Sequence, residues 1–312
     1  MAKVLSSPNE ASTTIRTLDG VEHDWEEIIG KMHDDDFYYG YLGKQALSSS
    51  IIKTILKSPK EYQKYLTKGS DDDSQPLRDG KLFHWRVLEP HKFDALNIID
   101  VSSKNTKAYK EAVAQMGTVF TLKEVNQAIE LAEIMHRNNE AMELIDGAEY
   151  EVPQIQMIDG IPIRGKADIL LNSNHIIDIK TTADIAGFQW SAKRFGYDLQ
   201  AYLYLQLFPE VERFTFLCID KKTKDIGIYE CSDEFLEGGK EKLERGIREY
   251  RKFFDQEDTA EIINQYVIRR TLWGESLEDT PETTITTIKV GEGAKGEVIY
   301  VPDAEVLTYR KE

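Results

Sequence analysis

Residues 164–182 read RGKADILLNSNHIIDIKTT, and this stretch decides the fold. Ile169, Leu170 and Leu171, then Ile176, Ile177 and Ile179, are strand-forming residues broken by the turn-prone Asn172-Ser173-Asn174. The segment therefore reads as a hairpin of two largely buried strands. Carboxylates are costly in such strands, on the order of several kcal/mol each when unpaired, so Asp168 and Asp178 call for a compensating cation. Lys180 follows Asp178 by two residues, which puts both side chains on one strand face, about 7 Å apart along the backbone. A carboxylate and an ammonium can thus address one site.

Outward from the hairpin, the order of elements predicts an α/β (α+β) fold with a mixed central sheet flanked by helices. Upstream, Ser48 to Ser50 offer N-caps to a helix containing Ile51, Ile52, Ile55 and Leu56. That helix breaks at Ser58-Pro59, and a second helical stretch runs through Leu66. RDGKLFHWRVLEP reads as a helix ended by Pro90, and residues 106–117 and 121–145 as further helices. EYEVPQIQMI, from Glu149, is a strand with a turn at Asp159-Gly160. After the hairpin come a helix around Phe188 to Arg194, the helix of GYDLQAYLYLQLF, strands RFTFLCID and DIGIYEC, and a long helix from Asp233 to Phe254. Residues 1–40 read as a largely irregular arm with one short helix near Trp25 to Met32, 41–270 as the folded domain, and 271–312 as a flexible tail.

The chain has 312 residues and 41% hydrophobic composition, enough for a full core. No apolar run approaches the roughly 18 residues of a membrane span, and the N-terminus lacks a signal-like segment, so an intracellular protein without membrane attachment is expected. Cys218 and Cys231 fit two reduced thiols and are too few for a four-cysteine iron-sulfur cluster. A net charge of −16 argues against a generally basic, nucleic-acid-coating surface, though not against a locally basic channel. The acidic runs Asp34–Asp36 and Asp71–Asp73 read as solvated loops.

Phosphodiester hydrolysis needs an activated water and neutralisation of charge on the phosphoryl oxygens, and a divalent Mg²⁺ or Mn²⁺ supplies both. Hard oxygen donors suit these ions, which makes Asp168, Asp178 and the main-chain carbonyl of Ile179 candidate ligands. Lys180 would orient or help deprotonate the water and stabilise the transition state. The bland alternative is a cross-strand ion pair between Asp168 and Lys180, with Asp178 capping a turn.

GKAD, DIKTT and GYDLQAYLY, in this order, resemble the PD-(D/E)xK nuclease superfamily, specifically its RecB-like branch with a helical Gln-x-x-x-Tyr motif, here Gln200 and Tyr204. On a helix these two share a face and would point to the metal site or the DNA backbone. LSSSIIKTILKSPKEYQKYL and PLRDGKLFHWRVLEPHKF sharpen the resemblance to the exonuclease VIII (RecE)-like, phage-encoded exonucleases. The resemblance spans about residues 41–255 and implies the restriction-endonuclease-like fold. It also implies an active-site His84 after Gly80, and an acidic residue before the hairpin, Glu151 first and Glu149 close behind. By the same resemblance the substrate is duplex DNA ends, degraded 5′ to 3′ with Mg²⁺ by a ring of copies, to leave 3′ overhangs for a single-strand annealing protein. The setting would be the cytoplasm of a bacterial host of a phage or prophage. The four cluster-binding cysteines of some RecB-like nucleases are missing, which favours the RecE-like reading. Lys53, Lys57, Lys60, Lys64, Lys193 and Arg194 are candidate channel residues or, equally, a solvated helix face. An endonuclease or flap nuclease, or a non-catalytic DNA-end-binding protein, are the alternatives.

Overall fold

A computed structural model describes residues 13–69 and 73–268. The expected tail, most of the Asp71–Asp73 run and the first twelve residues lie outside the described residues. The sheet has five strands in sequence order: β1 (Glu149–Ile158), β2 (Ile161–Leu171), β3 (His175–Thr182), β4 (Arg213–Asp220) and β5 (Ile226–Glu230). Neighbours are antiparallel except β3 and β4, which run parallel, so the sheet is mixed as expected. The parallel pair needs a crossover, supplied by helices Phe188–Arg194 and Tyr197–Leu207.

The hairpin forms where the sequence placed it. Asn172 and Ser173 take φ of 51° and 62°, the left-handed turn that Asn tolerates, and set Leu171 against His175 and Ile169 against Ile177. Beyond Ile169 the ladder stops, and Asp168 takes over: its Oδ2 accepts the Ile179 amide at 3.0 Å.

Seven helices position the site: α1 (Ser49–Lys57), α2 (Pro59–Lys68), α3 (Gln75–Leu88), α4 (Leu122–His136), α5 (Phe188–Arg194), α6 (Tyr197–Leu207) and α7 (Asp233–Phe254). Ser48 caps α1 by accepting the Ile51 amide, and Ile51, Ile52 and Ile55 form its buried face. Ser58 then caps α2, with Pro59 in the first turn. Helix α7 lies tightly on α6 and α1: a Cβ at Gly239 would come 2.1 Å from the Asp198 carbonyl oxygen, and one at Gly246 2.3 Å from Ile52 Cγ2. The main core lies between this helical layer and the sheet, with Phe214, Phe216, Leu203, Leu207 and Ile247 at its centre. A second core under the other face packs Phe83 and Val87 of α3 and Leu131 and Met135 of α4 on Ile177, Ile179 and Leu217.

Three expectations are corrected. The helix expected over 121–145 is two, Leu122–His136 and Asn139–Ile145, because Asn138 Oδ1 accepts the Ala141 amide at 2.9 Å and starts a new helix. Pro90 does not simply end a helix but opens the short one Pro90–Asp94. Residues 14–41 hold more structure than an arm: paired strands Thr14–Arg16 and Glu22–Asp24, helix Trp25–Lys31 and a π-helical turn Asp36–Tyr41. Elements this short show no period, yet Ile15, Ile28, Met32 and Tyr38 pack on Ile155 of β1. No helix among the described residues is long and apolar enough to cross a membrane.

Candidate metal centre

Three elements bring one acid or base each to a single point. Helix α3 contributes His84, β1 contributes Glu151 and β2 contributes Asp168; His84 Nε2 lies 3.1 Å from both Glu151 Oε1 and Asp168 Oδ1. One ligand atom from each of the three falls within 4.8 Å of the others, a spacing one cation can bridge. Glu151 reaches this point through backbone strain: its φ is +53°, left-handed for a non-glycine residue within a strand. It sits opposite Asp168, where the β1–β2 ladder skips a pair. The kink breaks the two-residue alternation that made Glu149 and Glu151 equivalent in the sequence, and Glu149 is left exposed, opposite Leu170.

Asp178 and Lys180 stand beside this group on β3. The Lys180 ammonium rests on Asp178 Oδ1, and Gln200 of α6 donates to Asp178 Oδ2 at 2.6 Å. Lys180 is thus paired with Asp178 rather than with Asp168. Among the described residues Asp178 is outside the three-residue cluster. The Ile179 amide serves Asp168, which fixes that carboxylate from behind. Tyr204, one turn after Gln200, does not point at the carboxylates. Its hydroxyl donates to the Lys166 carbonyl at 2.9 Å and accepts the Lys166 amide at 3.3 Å. Tyr204→Phe strands two buried main-chain groups, and we expect a loss of about 1–3 kcal/mol of folding stability with the chemistry intact. Urea denaturation beside a cleavage assay checks this.

Burial pulls the His84 imidazole down, but Asp168 and then Glu151 more than offset it and hold it protonated to about 9. Burial pushes Glu151 up, with Asp168 adding to the push and His84 opposing it. Asp168 itself is held low: burial raises it, but the His84 charge and hydrogen bond outweigh that. Burial and Asp168 together raise Asp178. For Lys180 burial works against the charge, and Asp178 and Asp168 win, so it stays an ammonium, suited to orienting groups rather than removing a proton. His84 and Glu151 both hold their protons more tightly folded than unfolded. Their stabilising effect is therefore full at low pH and is lost as pH rises, for His84 between its ordinary 6.5 and about 9. A cation must displace these protons, so Mn²⁺ affinity is expected to rise over that window while the metal-free melting temperature falls. Thermal melts with and without Mn²⁺ at stepped pH read both trends.

The residues fit a divalent ion. Glu151 Oε1 is buried and, with the His84 imidazole 3.1 Å away but off the hydrogen-bond direction, accepts no properly directed hydrogen bond, whereas Asp178 Oδ1 is met by the Lys180 ammonium. A buried carboxylate oxygen without a directed donor is expensive, and a divalent ion bound there would relieve it. A cleft of about 420 Å³ opens over the cluster, lined also by Ser48, Ser50, Tyr39, Arg164 and Lys166.

Several of these groups went unseen in the sequence. Lys166 is buried, its Nζ 3.5 Å from Asp35 and 4.0 Å from Glu151, and it lies over the Tyr38 ring at 4.5 Å. Asp35, expected in a solvated loop, holds both Lys166 and Lys92, the latter at 2.5 Å. Arg164 stacks on Tyr38 at 4.1 Å. Of the candidate channel lysines, Lys57 pairs with Glu61, Lys60 and Lys64 are exposed on α2, and Lys53 is half-buried beside the Tyr197 ring, which Lys180 also covers.

Comparison with curated proteins returns no match. Among solved structures, an exonuclease candidate from Eubacterium rectale superimposes with a TM-score of 0.57 at 20% identity, covering 70% of this chain and 85% of that one. A phage-related exonuclease from Haemophilus somnus (TM-score 0.31, 16% identity, 68% and 96% covered) and an alkaline exonuclease from Laribacter hongkongensis (0.30, 12%, 65% and 87%) align more loosely. At these identities the likeness speaks for the fold alone. Residues 48–262 match the model of a PDDEXK-like domain of unknown function, DUF3799, a span that takes in every member of the cluster. With its mixed sheet and this match over more than half its length, the chain belongs to the PDDEXK-like DUF3799 family.

Proposed function

We propose that the protein is a metal-dependent exonuclease that hydrolyses phosphodiester bonds from the ends of duplex DNA. The observation that carries this reading is the convergence of His84, Glu151 and Asp168 beneath an open cleft, with Lys180 set on Asp178 alongside. His84, Glu151, Asp168 and Asp178, with the Ile179 carbonyl, would hold one or two divalent ions, with Mg²⁺ the expected one and Mn²⁺ a substitute. Such an ion supplies Lewis-acid polarisation of the phosphoryl group and a more acidic water.

The chain's own residues do the rest. Lys180, kept charged, orients the attacking water and faces the negative charge that grows on the phosphoryl oxygens. Gln200 fixes Asp178, and Tyr204 fixes the strand that carries Lys166 and Asp168; both are positioning residues. Arg164 and Lys166 give the cleft a local positive lining on a chain of net charge −16, which reconciles an acidic protein with an anionic polymer.

The finer points of the reading come from the RecE-like resemblance: attack from 5′ ends, 3′ overhangs as product, a ring of copies, a single-strand annealing partner and a phage or prophage setting in the bacterial cytoplasm. A linear duplex labelled at one 5′ end, beside a covalently closed circle in Mg²⁺, tests the reading. Progressive loss of the label with the circle intact is expected. A cut circle would make the protein an endonuclease, and binding of ends without any cleavage would make it a non-catalytic end binder.

A further inference from the structure

The surface beside Lys180 carries a feature that the hydrolytic reading leaves unused. Helix α5 buries Phe188 and Ala192, spaced four apart, and turns Trp190, Lys193 and Arg194 outward. Trp190 is 73% exposed, the most exposed of the large apolar side chains among the described residues, and Phe195 just after it is 50% exposed. Two large rings in water on one short segment mark a contact surface.

Phe195 is continuous with the site, and Trp190 stands on the helix that leads into it. The Arg194 guanidinium lies 4.9 Å from the Phe195 ring centre, Phe195 stands 6.0 Å from Tyr197, and over Tyr197 lie both Lys180 at 5.1 Å and Lys53 at 5.8 Å. Gly196 makes the turn between them with φ of +65°, and a Cβ there would press on Lys53 Cδ at 3.0 Å. Lys180 and Lys242 are taken up by Asp178 and Asp198, whereas no carboxylate among the described ion pairs claims Lys53, Lys193 or Arg194.

Flat rings interleaved with cations, on a protein whose net charge is otherwise strongly negative, match one kind of polymer. Bases stack on the rings and phosphates meet the cations, without regard to sequence. Paired bases keep their faces inside the duplex, so a stacking platform selects single strands. We propose that Trp190 and Phe195, with Lys193, Arg194 and Lys53, form a platform for single-stranded DNA leading to Lys180. The proposal rests on the nuclease reading and adds to it the form of DNA held at this edge of the site.

The test uses the full chain in EDTA, so that nothing is cleaved, with a fluorescent oligothymidylate and a blunt duplex of the same length as probes. Trp190→Ala is expected to weaken oligothymidylate binding about tenfold, the range of one lost base stack. Trp190→Phe should restore most of it, and duplex affinity should hold in both variants. Because Trp190 is exposed, neither change burdens the fold. Unchanged oligothymidylate affinity in Trp190→Ala, equal losses on both probes, or a wild-type protein that ignores the single strand would each overturn the platform. Cleavage of linear duplex by the wild type in Mg²⁺, measured on the same preparation, is a separate readout, so the platform and the nuclease reading fail independently.

Discussion

Lys180→Gln is expected to slow single-turnover cleavage of bound DNA by about a hundred- to a thousandfold, the usual cost of losing one transition-state donor. DNA affinity should stay unchanged, because a group that acts on charge developing in the transition state contributes little to ground-state binding. Glutamine is the informative replacement. Asp178 is 1% exposed and rests on this ammonium, so alanine would leave a buried carboxylate unpaired at a cost of about 3–5 kcal/mol and confuse unfolding with lost chemistry. The amide keeps a donor within reach of Asp178 and removes only the charge. A rate within tenfold of wild type, in protein with an unaltered melting curve, would remove Lys180 from the reaction.

Asp168→Asn should have the second large effect. Asp168 is the hinge of the cluster: one oxygen meets His84 Nε2 at 3.1 Å while the other accepts the Ile179 amide at 3.0 Å. Asparagine keeps the shape, but with its one oxygen held by the Ile179 amide it turns a neutral NH₂ group, which cannot ligate a cation, toward His84 and the cluster. Changes to groups that merely support a metal ligand cost about 10–100-fold in affinity. Loss of a ligand's charge should cost at least the upper end of that range, read by calorimetric Mn²⁺ titration, with cleavage lost in parallel. The same substitution removes the strongest upward pull on His84, so the imidazole should titrate well below its value of about 9, visible by NMR. Undiminished Mn²⁺ affinity would place the ion elsewhere.

How much of this was open to a reading of the sequence depends on the range of the interactions. The hairpin was legible because branched apolar runs and the Asn172-Ser173-Asn174 turn are local signals. Asp178 and Lys180 share a strand face by simple alternation, and Gln200 reaches Asp178 from the helix that the motif predicted. The choice between Glu149 and Glu151 was not legible, since alternation treats them alike and only the left-handed backbone at Glu151 separates them. Tyr204 was expected to face the metal site or the DNA backbone with Gln200, but a helical face gives direction and not reach, and its hydroxyl ends on the Lys166 backbone. Asp35 and Lys166 meet across 131 residues of chain, with no periodicity to announce it. Tyr38 and Tyr39 lie in a π-helical turn whose sequence reads as irregular. The long-range half of the site is therefore a product of packing, invisible until the strands are laid side by side.

His84, Glu151 and Asp168 are expected to bind one divalent cation between them, and anomalous diffraction from crystals soaked in Mn²⁺ locates it. An anomalous peak is expected within bonding distance of His84 Nε2 and of one carboxylate oxygen each from Glu151 and Asp168. Manganese bound away from all three, or an imidazole still hydrogen-bonded to both carboxylates at saturating Mn²⁺, would contradict it.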